Sequence, residues 1–159
     1  MTKEKLGKVA VGGTFDEFHK GHEALLRKAF EVGNRVLVGV SSDDLVKKLG
    51  KSHVVATYEK RVNYLKSFLR GQNLLDRTEI LPLDNPYGVT LSSKSLDGIV
   101  VSQETAARAH EINEKRRANG LKPLEIIIIE MVLAEDGVSL STTRIRQKEI
   151  DPEGRSLKT

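Results

Sequence analysis

Short apolar runs alternate with longer stretches that are apolar on one face only, from the first residues of the chain almost to its end. Lys8-Val-Ala-Val11 and Arg35-Val-Leu-Val-Gly-Val40 read as strands. Glu79-Ile-Leu-Pro-Leu83 reads as a third, with Pro82 marking a sheet edge or a strand end. Asp97-Gly-Ile-Val-Val-Ser102 is a fourth. Leu124 to Glu130 carries four successive isoleucines, the composition of a central strand buried on both faces. Between the strands lie helical patterns. Glu23 to Phe30 is amphipathic, and Thr57 caps a helix that sets Tyr58, Val62, Leu65 and Leu69 on one face and ends near Gly71. Ser102 is placed to cap a long helix over about 103–119, closed by Gly120, and a last helix starts near Ser141 and runs to about Lys148.

Five strands separated mainly by helices predict an α/β fold: a doubly wound, parallel five-stranded sheet with helices on both faces. There is no internal repeat and no linker, so residues 1–151 form one domain and 152–159 a frayed tail. In such folds ligands gather at the carboxyl ends of the strands. Polar residues cluster there: Gly12 to His22, Ser41 to Asp43, Ser102 to Thr105, and Ser139 to Arg146.

Composition narrows the chemistry. The chain has 159 residues, no cysteine and a formal net charge of +4. Disulfides, thiolate metal sites and a cysteine nucleophile are excluded. Lysine and arginine are dispersed, and only four Phe and three Tyr are present, so a small polyanion explains the charge as well as a nucleic acid does. The apolar run 126–129 is far short of a membrane span, and no apolar signal segment precedes the first strand. The expectation is a cytoplasmic protein with neither a nucleic-acid nor a membrane partner; a homo-oligomer remains open. The charged content of 30% hints at a thermophilic source.

The densest chemistry is Gly12-Gly-Thr-Phe-Asp-Glu-Phe-His-Lys-Gly-His22, between the first strand and the first helix. A glycine turn there brings backbone N–H groups and a helix N-terminus up to an anion. His19 and His22 add donors suited to phosphate. Gly21 gives the histidines close approach to a ligand. Asp16 either caps the helix or orients a histidine. Phe15 reads first as core, yet it stands inside the turn. Ser141-Thr-Thr-Arg-Ile-Arg146 sets hydroxyls, helix N–H groups and the Arg144 guanidinium at one end, a second wall for phosphates. Glu104 and Thr105 are placed for a nucleoside and Arg108 for a β- or γ-phosphate, while Asn113, Arg116 and Arg117 read as a solvated face. His53 and His110 receive no role.

T-F-D-x-x-H-x-G-H resembles the signature of the HxGH nucleotidyltransferase superfamily, whose fold is a Rossmann-like sheet and whose first turn grips a nucleoside triphosphate. Glu59-x-Arg61-Val62, Pro82-Leu-Asp-Asn-Pro-Tyr-Gly88, Val100-Val-Ser-Gln-Glu-Thr105 and Ser141 to Arg146 resemble the archaeal type of phosphopantetheine adenylyltransferase over about residues 8–154. Leu140 departs mildly from the isoleucine of that family's last segment. The resemblance implies adenylyl transfer from ATP to 4′-phosphopantetheine, giving dephospho-coenzyme A and pyrophosphate, with Mg²⁺ bridging ATP phosphates and no protein ligand to the metal.

It also implies the site. His22, His19, Lys48 and Arg144 are catalytic. Gly13, Thr14, Phe15, Gly21, Ser102, Glu104, Thr105, Arg108, Ser141, Thr142 and Thr143 bind ATP. Thr14 with Lys47 and Lys48 binds the acceptor. The alternatives are an FAD synthetase or glycerol-3-phosphate cytidylyltransferase-like enzyme, whose R-Y-V-D-E-V-like segment is missing here, or a catalytically silent nucleotide-binding protein.

Overall fold

The computed structural model describes residues 5–16, 18–48, 50 and 55–129. The strands are β1 (Leu6–Gly13), β2 (Gly33–Ser41), β3 (Thr78–Leu83), β4 (Gly98–Ser102) and β5 (Glu125–Ile129). The helices are α1 (Lys20–Val32), α2 (Asp43–Lys48), α3 (Tyr58–Gly71) and α4 (Ala106–Ala118). All neighbouring strands run parallel, in the order β3-β2-β1-β4-β5. The chain therefore winds outward from β1 through β2 to β3, then returns to β4 on the other side of β1. That reversal creates a switch point between β1 and β4, where a crevice opens beyond the strand ends.

The period of two sorts the strand residues between two cores. Val9 and Val11 of β1, Val36, Val38 and Val40 of β2 and Val100 of β4 pack with Leu26 and Phe30 of α1 and Leu65 and Leu69 of α3. Ala10, Leu37, Ile99 and Val101 point to the opposite face, against Ala109 and Ile112 of α4. Helices thus cover both faces, as the alternation requires.

Local signals act where they were expected, with three exceptions. Thr57 caps α3, its hydroxyl accepting from Lys60 N at 3.3 Å, and Gly120, at φ +77, closes α4 with the left-handed turn that glycine adopts freely. Ser102 does not cap α4. Thr105 Oγ1 accepts from Ser102 N at 3.1 Å and meets Ser102 Oγ at 3.2 Å, so the two residues close a turn and the helix starts only at Ala106. Among the described residues the isoleucine strand is not central: β5 stands at the end of the strand order, with Ile128 49% exposed. Isoleucine favours a strand, but its place in the sheet is set by the winding. The six-residue α2 is too short for its period to be read; Ser42 Oγ accepts from Leu45 N, and acidic residues at its start and lysines at its end suit the helix dipole. The last predicted helix, 141–148, and the tail 152–159 lie outside the described residues.

Candidate active site

At the end of β1 the chain enters α1 through Thr14–His19, and its geometry is set by two histidines. His19 is the N-cap of α1, its Nδ1 accepting from Gly21 N at 3.0 Å. His22, three residues on, returns the arrangement: its Nδ1 accepts from His19 N at 3.1 Å. This is a capping box built from imidazoles. The rings stack with centroids 3.8 Å apart. Because both Nδ1 atoms accept, each ring carries its proton on Nε2. Burial lowers the His19 pKa to about 4. His22 falls to about 3, mainly through burial and then through its neighbour His19, with Asp16 opposing. At neutral pH the pair is uncharged and offers two Nε2–H donors.

Gly21 has a reason in this geometry. A Cβ there would stand 2.8 Å from His19 Cε1 and 2.9 Å from Nδ1, so glycine lets the His19 ring fold back over its own helix. The close approach is thus to His19 itself. Phe15 is 1% exposed and packs 5.2 Å from the His22 ring, centroid to centroid, so its side chain is part of the core. Its φ is +55, a strained value for a bulky residue. Phe18 also packs against His22, with ring centroids 5.3 Å apart. Asp16 is buried and accepts from Ala56 N at 3.1 Å; the cap of α1 is His19, not Asp16.

Beyond the strand ends lies a cavity of about 600 Å³. Gly13 and Thr14 at the end of β1, Ser41 at the end of β2, and Ser102 at the end of β4 with Glu104, Thr105 and Arg108 beyond it line the cavity. The strand-end rule thus brings together six of the predicted residues from two segments far apart in sequence. Thr14 Oγ1 faces Ser41 Oγ at 3.5 Å, and Ser41 Oγ donates to Gly13 O at 3.4 Å. His19, His22, Gly21 and Phe15 stand beside this cavity in the chain but are not part of its lining. Lys47 and Lys48 are exposed on the last turn of α2 and do not line it either, although Leu45 of the same helix does. Ser141, Thr142, Thr143 and Arg144 lie outside the described residues, as does His53. Among the described residues no group of three or more His, Asp or Glu could hold a metal ion.

The far wall is the segment after β3. Asn85 Oδ1 accepts from Tyr87 N and Gly88 N, each at 2.9 Å, and turns the chain over the cavity. Glycine suits position 88: its φ is +55, and a Cβ there would also press on the tip of the Leu83 side chain. The Tyr87 hydroxyl donates to Glu111, which with burial raises the tyrosine pKa. Arg108 pairs with Glu111 at 3.5 Å and sits 5.5 Å from the Tyr87 ring centroid.

Sequence reasoning left Tyr87 and Glu111 without a role. Proximity in the pattern 82–88 named the segment but not its direction. Asn113 and Arg116 also correct the expectation of a solvated face. Arg116, 1% exposed, donates to Lys122 O, Thr90 O and Ser93 O, and Asn113 exchanges hydrogen bonds with Leu124 O and N. Arg117 is exposed, as expected.

The cytidylyltransferase-like family profile matches residues 10–148. A relative from Methanothermobacter thermautotrophicus, named phosphopantetheine adenylyltransferase, is 45% identical over 156 residues, covering 98% of this chain and 93% of its own. One of the same name from Methanopyrus kandleri is 47% identical over 139 residues, covering 87% and 88%. A solved structure from Archaeoglobus fulgidus, described as a protein of unknown function, superposes with TM-score 0.69 at 33% identity, covering 77% of this chain and 88% of that one.

Proposed function

The chain belongs to the cytidylyltransferase-like family and, within it, to the phosphopantetheine adenylyltransferases, and from that premise we propose how its residues transfer an adenylyl group from ATP to 4′-phosphopantetheine. The products are dephospho-coenzyme A and pyrophosphate, a step of coenzyme A biosynthesis. An oxygen of the acceptor phosphate forms a bond to the α-phosphorus of ATP, and the bond from that phosphorus to the bridging oxygen of pyrophosphate breaks. The acceptor is already an anion near neutral pH, since a phosphate monoester loses its second proton with a pKa of about 6. No general base and no covalent intermediate are needed. Catalysis is alignment plus neutralisation of charge on the non-bridging and leaving oxygens.

The observation that carries this reading is the imidazole pair at the start of α1, beside the cavity, neutral and fixed with each proton on Nε2. A donor locked by a capping box needs no reorganisation when charge develops. We assign His22 to the α-phosphate in the transition state and His19 to the phosphates of bound ATP. Gly13 and the start of α1 supply backbone N–H groups, and Thr14 meets the acceptor phosphate. Ser102, Glu104 and Thr105 hold the nucleoside. Arg108, steadied by Glu111, reaches the β- or γ-phosphate. Lys47 or Lys48 of α2 swings to the acceptor phosphate, and Ser141, Thr142, Thr143 and Arg144 form the second wall of the triphosphate site.

Around the polar strand ends the cavity is apolar, with Leu81, Leu83, Pro86 and Val89 on the β3 side. That wall suits the extended arm of phosphopantetheine. ATP enters as its Mg²⁺ complex. The carboxylates lining this cavity are Glu104 and Glu111, and Glu111 is taken up by Tyr87 and Arg108, so a Mg²⁺ ion would be held mainly by nucleotide oxygens and would supply neutralisation of phosphate charge.

The test is a panel of α-labelled ATP and CTP against phosphopantetheine, nicotinamide mononucleotide, FMN and glycerol 3-phosphate. Label should pass to phosphopantetheine from ATP. Preference for CTP, or for FMN as acceptor, would overturn the substrate assignment.

A further inference from the structure

Arg61, on α3, is 1% exposed, yet its guanidinium lies among backbone oxygens of separate segments. Nη1 donates to Thr14 O at 2.8 Å and to Ser41 O at 2.7 Å. Nε donates to Ala56 O at 2.8 Å, and Nη2 donates to Asp43 Oδ1 at 3.1 Å. Asp43 in turn accepts from Tyr58 N at 2.8 Å, at the start of α3. Taking a cation out of water is costly unless its donors are matched. Here a rigid fork matches them, which a lysine cannot reproduce.

We propose that Arg61 is a positioning residue for adenylyl transfer, clamping the turns after β1 and β2 so that the Thr14 turn and the His22 ring keep their catalytic geometry. The inference rests on the site reading above.

Two carbonyl oxygens on one nitrogen would repel each other without the N–H groups between them. The clamp therefore sets the approach of the β1 and β2 turns, whose Thr14 and Ser41 hydroxyls face each other at 3.5 Å. The Thr14 carbonyl also belongs to the peptide that leads into Phe15, the residue held at φ +55. Strain of this kind persists only where surrounding contacts fix it. Arg61 fixes that peptide plane, the plane directs the Phe15 ring into the core, and the ring packs against His22. Loss of the fork lets Phe15 relax toward negative φ and releases one side of His22.

The experiment compares Arg61→Lys with Arg77→Lys and His22→Ala. Each is assayed for kcat, ATP affinity, thermal midpoint and the imidazole nitrogen signals of ¹⁵N-histidine-labelled protein. Arg77 is the control: it also donates to carbonyls, of Asn34 at 2.7 Å and Gly33 at 3.0 Å, but at the amino ends of the strands. Arg61→Lys should lower kcat by about 10- to 100-fold, the scale of a misplacement near 1 Å, while ATP affinity changes by less than about threefold. The His22 nitrogen signals should shift. Arg77→Lys should keep kcat within about twofold.

A kcat per folded molecule within threefold of the parent, with unmoved His22 signals and only a lower thermal midpoint, overturns the inference. If His22→Ala is also inert, the site reading has failed; if His22→Ala is impaired, the inference alone has failed. Should Arg61→Lys not fold, Asp43→Asn carries the test. It keeps an oxygen for Tyr58 N but weakens the charge-assisted bond to Nη2. A fall in kcat of about three- to tenfold supports the clamp, and an unchanged kcat refutes it.

Discussion

Gly21→Ala separates catalysis from stability. The added Cβ would stand 2.8 Å from His19 Cε1 and 2.9 Å from Nδ1, where ordinary contact begins near 3.4 Å. The Gly21 backbone is fixed in the first turn of α1, so the imidazole must retreat. Doing so breaks the Nδ1 acceptor bond to Gly21 N and disturbs the stack with His22 at 3.8 Å. Loss of the cap costs about 1 kcal/mol. Alanine in place of glycine within a helix returns up to about 1 kcal/mol. The net is near zero, and a chain of this size moves by only about 2–4 °C per kcal/mol, so the thermal midpoint should shift by less than about 4 °C. The donors, however, leave their fixed positions, and kcat should fall by about 10- to 100-fold. Pyrophosphate release at saturating ATP and phosphopantetheine reads the rate, and calorimetry reads the midpoint. A kcat within twofold of the parent would refute the claim that the folded-back imidazole is the working arrangement. A large loss of stability would refute the balance of cap against propensity.

Further outcomes follow from the same geometry. His22→Ala should lower kcat by about 10²–10³ and weaken ATP binding far less; an unchanged kcat with a raised KM would make His22 a ground-state binder. In the unfolded chain the imidazoles titrate near 6.5, but in the fold His19 and His22 titrate at about 4 and 3, so below pH 6.5 the unfolded state binds more protons. Stability should therefore fall as pH drops from 6.5 toward 4, and His22→Gln should flatten that part of the profile; parallel profiles would contradict the lowered pKa. Gly88→Ala and Gly120→Ala both put a side chain at positive φ, costing about 1–2 kcal/mol, but only at position 88 would the new Cβ also press on Leu83. Calorimetry should show the larger loss at Gly88, and equal losses would argue against the packed turn over the cavity.

Most of the fold was legible because two periodicities carry it. Period-two valines in β1 and β2 and the one-sided apolar faces of α1 and α3 are local signals, and each survives into the structure. The place of β5 was not legible, since strand order follows from the winding and not from four isoleucines. The same divide runs through the site. Thr14 and Ser102 could be placed on the cavity wall because the strand-end rule needs only an element boundary, whereas His19 and His22 stand outside the lining. The neutrality of the histidines could not be read, since it depends on burial and on each Nδ1 finding a backbone N–H. Arg116 and Asn113 read as a solvated helix face in sequence, and Arg61 stood only in a segment of family resemblance; their distant carbonyl partners reveal all three as internal ties.

The most direct test of the central claim follows the α-phosphorus itself. Phosphopantetheine is incubated with ATP made chiral at that phosphorus by oxygen isotopes, and the product's identity and configuration are read by mass spectrometry and ³¹P NMR. A single in-line displacement guided by fixed neutral donors predicts dephospho-coenzyme A carrying the labelled phosphorus with its configuration inverted, and one pyrophosphate per product. Retention would demand a covalent adenylyl intermediate, and label found in no dephospho-coenzyme A would remove the reaction altogether.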